Sequence, residues 1–254
     1  MKKIVQFAIR LLMALFALVV CGAIGFKIYT SVFYRADVET ISSIEDRLDI
    51  KVNSYSDQNG MVFIPENQDF KAVIVFYPGG KVEYSAYTGL LYEIASRGYI
   101  CLLPKMPENL AFFRINAAEV ITSNYKSETE TVKDLDWYLA GHSLGGVAAS
   151  LYIEETTDDY AGLILCASYP NADLSDNDIR MLSILGSEDG VINSEGYESS
   201  KASWPSDSEE HIIEGGIHSY FGSYGIQKGD GTPSITNEEQ LKKTADIIEE
   251  WIDG

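Results

Sequence analysis

Three cysteines, three histidines and only 19 basic residues stand in a chain of 254, and each scarcity removes a class of protein. Three cysteines do not make a disulfide framework. Cys21 lies in a hydrophobic N-terminal segment, while Cys101 and Cys166 sit within apolar, strand-like runs where free buried thiols are expected. There is no C-x-x-C and no H-E-x-x-H, so the sequence carries no recognisable metal pattern. The basic residues are outnumbered by 38 acidic ones, for a net charge of −19, and Lys2, Lys3, Arg10 and Lys27 lie in or beside the N-terminal segment. The remainder is therefore more acidic still. Nucleic-acid binding needs a cationic surface to displace counterions, which this balance argues against. Docking on anionic lipid headgroups is disfavoured for the same reason. Hydrophobic residues are not scarce: at 46% they suffice for a sizeable core, which excludes a disordered chain.

Residues 11–26 hold no charge, and the apolar stretch extends back to Ile4 with only Gln6 and Arg10 interrupting it. With Arg10 reaching toward the headgroups, that length spans a bilayer. Met1-Lys2-Lys3 supplies the positive flank expected on the cytoplasmic side. No small-x-small cleavage site follows the apolar core, and Val20 is too large to precede a lipidated Cys21. The expectation is an uncleaved single-pass anchor over residues 1–27 with the domain outside the cytoplasm; secretion after signal cleavage is the alternative. Residues 28–47 read as a polar stem and 48–254 as one domain.

Within that domain the hydropathy pattern changes once. Ile50–Tyr55 and Met61–Ile64 flank Ser56-Asp57-Gln58-Asn59-Gly60 and read as a β-hairpin. From residue 72 onward, Ala72–Tyr77, Tyr99–Leu103, Trp137–Ala140, Gly162–Ala167 and Met181–Leu185 are short apolar runs without alternation, as in strands covered on both faces. Helical spacing falls between them: Tyr87 to Ala95 with a stop at Gly98, Ala111 to Thr122, Leu144 to Glu155, and Asn237 to Ile252 with Leu241, Ala245, Ile248 and Trp251 on one face. Alternating strand and helix define an α/β fold with a mostly parallel sheet flanked by helices.

Gly141-His142-Ser143-Leu144-Gly145 fits G-x-S-x-G and lies between a strand pattern and a helix pattern. A serine at such a turn is held in a strained backbone with its hydroxyl exposed, and the flanking glycines leave room for the turn. Serine needs a base. His142 is the variable residue of the turn, and its position is expected to direct it elsewhere. His211 opens the strand-like run His-Ile-Ile and reads as structural. His218 follows Gly215-Gly216-Ile217 in a loop before the last helix, the place for a general base. Asp189, in Gly186-Ser187-Glu188-Asp189-Gly190 after an intermediate strand, is the expected orienting acid; Glu188 is the other acid there. An oxyanion needs two backbone N–H groups. One is Leu144, at the positive end of the helix; the other comes from Pro78-Gly79-Gly80-Lys81, through either Gly80 or Lys81.

With Phe76-Tyr77-Pro78-Gly79-Gly80-Lys81-Val82, Gly141 to Gly146, Gly186 to Gly190 and Glu214-Gly215-Gly216-Ile217-His218 in place, the chain resembles a serine α/β-hydrolase over residues 48–254. It is similar to small membrane-anchored bacterial members of that superfamily. Dienelactone hydrolases are near in architecture but use cysteine where Ser143 stands. The resemblance implies the superfamily fold and hydrolytic chemistry at Ser143, on a carboxylic ester or related acyl compound, with no metal or organic cofactor. Acyl transfer or peptide cleavage on the same triad, or a non-catalytic membrane-displayed binding module, are the alternatives. The gap between Ala167 and Met181 is too short for a lid domain, so an open site is expected, with Tyr77, Tyr84, Tyr169 and Phe221 as apolar walls. The expected partners are a small acyl substrate and, through the N-terminal helix, a membrane.

Overall fold

The apolar runs that lack alternation become the strands of a single eight-stranded sheet. A computed structural model describes residues 2–66, 69–126, 132, 134–156 and 159–254; Met1 of the expected basic flank lies outside them. The chain divides into two compact units, Met1–Phe33 and Tyr34–Gly254.

The first unit is helix α1 (Lys2–Ser31). With no proline to interrupt it and a rise of about 1.5 Å per residue, its apolar stretch exceeds the roughly 30 Å hydrocarbon core of a bilayer. Lys3–Ser31 is long and apolar enough to cross a membrane by length and composition.

The second unit begins earlier than the expected stem allows. Tyr34 N–H donates to Lys81 O (2.9 Å), and Glu83 N–H donates to Tyr34 O (2.8 Å). Helix α2 (Val38–Asp46) follows, capped by the Asp37 side chain on Thr40 N–H. It inserts Ile44 wholly into the core, and the adjoining Arg47 pairs at 2.5 Å with Glu93, a carboxylate only 3% exposed. Residues 28–47 are thus the end of α1 and the start of the domain. The reason is that this polar-looking stretch carries an apolar anchor, Ile44, that the domain buries and a charge, Arg47, that pairs with the buried Glu93.

The strands are β1 (Val52–Ser56), β2 (Gly60–Pro65), β3 (Ala72–Tyr77), β4 (Tyr99–Pro104), β5 (Asp136–His142), β6 (Gly162–Cys166), β7 (Arg180–Gly186) and β8 (Asp207–Ile213). Their spatial order is β1-β2-β4-β3-β5-β6-β7-β8. The β1–β2 hairpin and the β2–β4 pair are antiparallel, and every other pairing is parallel. Alternate residues of β3 divide between two cores. Ile74 and Phe76 pack with Ile44, with Leu90 and Leu91 of α3 (Thr88–Ala95), and with Leu241, Ile248 and Trp251. Val73, Val75 and Tyr77 pack with Ala118 and Ile121 of α4 (Ala117–Lys126) and with Ala148 and Ile153 of α5 (Leu144–Glu154). This two-sided burial is why the runs lack a period of two.

Two further helices complete the unit, α6 (Ser194–Ser200) and α7 (Asn237–Asp253). The apolar face read for the last helix is buried, and Thr236 with Glu239 forms a capping box at its start. The helix expected over Ala111–Thr122 is broken: a 3-10 turn at Ala111–Phe113 precedes α4. Arg114, at φ −154°, ψ 64°, is not helical. The Tyr77 hydroxyl accepts Ala118 N–H (2.8 Å) and donates to Ile115 O (2.5 Å), so a residue from β3 sets where α4 begins.

Candidate active site

Parallel strands leave all their carboxyl ends on one edge, and the loops after β3, β5, β7 and β8 carry the residues read from the sequence. After β5 the chain turns at Ser143, whose φ of 50° and ψ of −124° lie where non-glycine residues are strained. Neighbouring contacts hold that strain. Ser143 N–H donates to Cys166 O (3.0 Å) and its carbonyl accepts the Ser168 hydroxyl (2.8 Å). The flanking glycines are required by close approach: a Cβ on Gly141 would meet Gly146 N at 2.6 Å, and one on Gly145 would strike the carbonyls of Tyr77 and Pro78. Ser143 is half-buried and reachable from outside.

His218 and Asp189 meet across the loops after β8 and β7. His218 Nδ1 lies 2.9 Å from Asp189 Oδ2, and the two side chains are only 2% and 3% exposed. The other carboxylate oxygen of Asp189 accepts Val191 N–H (2.8 Å) and Ile192 N–H (2.9 Å). One aspartate therefore serves as turn residue and as histidine partner. Glu188, the other acid of this loop, is exposed and contacts Ser187. His218 Nε2 is buried and makes no hydrogen bond among the described residues.

The loop after β3 discriminates between its amides. Pro78 has no N–H. Gly79 N–H donates to the Tyr87 hydroxyl (2.9 Å), and Lys81 N–H, in a backbone with φ of 59°, donates to Asn109 O (2.8 Å). Of the two amides read from the sequence, Lys81 is already spent. Gly80 N–H has no partner among the described residues, and neither does the N–H of Leu144 at the first position of α5. The two residues are neighbours: a Cβ on Gly80 would fall 2.6 Å from Leu144 Cδ2.

His142 is engaged away from the serine hydroxyl: its Nδ1 is 2.8 Å from the Tyr87 hydroxyl, its Nε2 is 3.0 Å from the His218 carbonyl oxygen, and its ring lies 4.7 Å from that of His218. Full burial first, and the neighbouring His218 second, hold its imidazole well below the ordinary histidine value. His211 lies in β8, 3.5 Å from Glu209, and lines a separate cavity with Arg180 and Trp251.

The four expected walls divide. Tyr77 and Phe221 are wholly buried, Tyr77 as the partner of α4 and Phe221 packed 5.8 Å from the His142 ring, so neither faces an open site. Tyr84 and Tyr169 are half-buried. The large groove of about 870 Å³ is lined by Phe112 to Asn116 and the C-terminal half of α5, and includes none of Ser143, Asp189 or His218.

Two contributors carry no sequence signal. Asp230 accepts His218 N–H (3.1 Å), Ser219 N–H (2.7 Å) and Gly190 N–H (3.3 Å), tying the histidine loop to the acid loop. Gln240 of α7 holds both the N–H (2.9 Å) and the carbonyl (2.8 Å) of Ile217. In sequence, Gly229-Asp230-Gly231 reads as an ordinary turn, and Gln240 as a polar helix residue.

A strained serine between β5 and α5, on a sheet of this order, defines the α/β-hydrolase class. A family model described as the alpha/beta hydrolase family matches residues 73–242, most of the chain, which therefore belongs to that family. No curated protein matches the chain.

Proposed function

We propose that the protein is a serine hydrolase acting on a carboxylic ester through Ser143, His218 and Asp189. The observation that carries this reading is the buried Asp189–His218 pair, packed against the ring of His142, whose next residue in the chain is a serine held at positive φ. Asp189 accepts from Nδ1–H, which leaves Nε2 as the basic nitrogen, and that nitrogen has no competing partner.

In the reaction, His218 takes the Ser143 proton as the hydroxyl attacks the acyl carbonyl. The amides of Leu144 and Gly80 stabilise the oxyanion; Gly80 is favoured over Lys81 because the Lys81 N–H is given to Asn109. His218 then protonates the leaving alcohol, and water releases the acyl group from Ser143 by the reverse proton path. Asp189 keeps the tautomer and stabilises the imidazolium without itself gaining a proton. Residues 167–179, between β6 and β7, are too few for a lid domain, which favours short or medium acyl chains over interfacial lipid hydrolysis. The apolar helix α1 would tether the enzyme to a membrane with the domain outside the cytoplasm.

The test is hydrolysis of p-nitrophenyl esters from acetate to octanoate by the chain and by Ser143→Ala. Loss of about 10⁴-fold or more in kcat is expected for the variant. Equal turnover by both proteins, or no fluorophosphonate labelling of the folded wild type, would sink the reading. Adding alcohol or amine acceptors and analysing products distinguishes hydrolysis from acyl transfer.

A further inference from the structure

Two side chains outside the proposed machinery lie buried between its parts. The Tyr87 hydroxyl is 2.8 Å from His142 Nδ1 and accepts the N–H of Gly79, on the loop after β3. His142 Nε2 is 3.0 Å from the carbonyl of His218. A carbonyl only accepts, so Nε2 carries the proton and Nδ1 is bare. Tyr87 must then donate to Nδ1, and its oxygen is left to accept from Gly79. The hydrogen bonds run in one direction, from the Gly79 amide through Tyr87 and His142 to the His218 carbonyl, with every donor matched.

The surroundings leave this chain little freedom. The His142 ring packs 4.7 Å from that of His218 and 5.8 Å from Phe221, and Tyr87 packs 5.4 Å from Phe76. Gly79 has to be glycine here, since a Cβ would sit 2.5 Å from the Tyr87 hydroxyl and 2.7 Å from His142 Nδ1. The chain joins the loop that carries Gly80 to the loop that carries His218, and passes through the residue next to Ser143.

We propose that Tyr87 and His142 are positioning residues that hold the oxyanion loop and the general-base loop in one mutual geometry. The proposal rests on the serine-hydrolase reading of Ser143 and His218. Neither residue touches the reacting atoms or moves a proton in the reaction. Their contribution is to the alignment demanded in the transition state, so their loss falls on kcat rather than on KM. A misplacement of about 1 Å costs on the order of 100-fold in rate.

The experiment is steady-state kinetics of the full chain in detergent on p-nitrophenyl butyrate, for wild type, Ser143→Ala, Tyr87→Phe, His142→Leu and His142→Gln. Tyr87→Phe and His142→Leu are expected to lose about 10- to 100-fold in kcat, with KM within about threefold of wild type. His142→Gln, which retains a donor near the Nε2 position, is expected between His142→Leu and wild type. An active wild type and inactive Ser143→Ala, with unchanged kcat in Tyr87→Phe and His142→Leu, overturns the positioning role and leaves the hydrolase reading intact. A loss confined to KM, or no rescue by glutamine, overturns it also. A folded wild type with neither turnover nor fluorophosphonate labelling overturns both. Should a variant fail to fold, ¹⁵N spectra of histidine-labelled wild type decide: the expected result is a neutral His142 with the proton on Nε2, and a proton on Nδ1 overturns the relay.

Discussion

At the scale of single residues, neighbours only one position apart have opposite fates. Gly80 and Lys81 follow one another in a turn, yet only Lys81 meets an acceptor, the Asn109 carbonyl at 2.8 Å. His142 precedes Ser143, yet one is wholly enclosed and the other is reachable. Enclosure has a consequence for pH. His142 is kept neutral in the fold, its pKa depressed first by burial and then by His218, whereas the unfolded chain binds its proton near the ordinary value of 6.5. Below that pH the unfolded state holds more protons, so stability falls with falling pH and is fully present only above it. One proton corresponds to a slope of at most about 1.4 kcal/mol per pH unit. Urea melts of His142→Leu between pH 7 and 5 are expected to show a shallower loss than wild type; an equal slope would mean that His142 is already charged in the fold. Depressed carboxylates such as Asp246, paired with Lys242 and Arg97, lose their contribution only near and below their ordinary value of 3.8, outside that window.

At the scale of elements, the carboxyl ends of β3, β5, β7 and β8 each deliver one participant, and helices decide how firmly it is held. Helix α7 reaches past its own packing to clamp Ile217 through Gln240, and β3 supplies Tyr77 to start α4. Helix α2 is the least expected contributor. It fills the core with Ile44 and, through the adjoining Arg47, shares with Arg97 the neutralisation of buried Glu93. Burying an isoleucine is worth roughly 1.5–3 kcal/mol, and leaving a carboxylate short of one partner adds to the loss. A chain starting at Tyr34 is therefore expected to melt about 5–10 °C above one starting at Leu48, at roughly 2–4 °C per kcal/mol for a domain of this size. Coincident melting curves for the two would show that α2 lies on the domain without supporting it.

At the scale of the molecule, an acidic α/β-hydrolase unit follows a helix long and apolar enough to cross a membrane. The basic residues Lys2 and Lys3 stand at the N-terminal end of that helix, and a positive flank is retained on the cytoplasmic side. The proposed orientation therefore places the domain outside. Protease added to intact cells displaying the full chain is expected to digest the domain, and a detergent-free supernatant is expected to lack it. Protection from protease would reverse the orientation, and release into the medium would make the segment a cleaved signal.

What the sequence alone determined was everything carried by contiguous residues. Five residues between a strand and a helix pattern located the elbow, unalternating apolar runs located the parallel strands, and Leu241, Ala245, Ile248 and Trp251 marked the buried face of the last helix. Hydropathy and turn chemistry are local, so they survive without coordinates. Tertiary structure alone decided the rest, because those features depend on partners distant in the chain. The acceptor that removes Lys81 from use comes from Asn109, and the break before α4 is set by Tyr77. The docking of Arg47 depends on Glu93, 46 residues further on, and the chain from Gly79 to His218 needs Tyr87 and His142 in one place. Hydrogen bonds have direction and must be matched donor to acceptor when buried, and that matching is made only when the loops at the sheet's carboxyl edge come together.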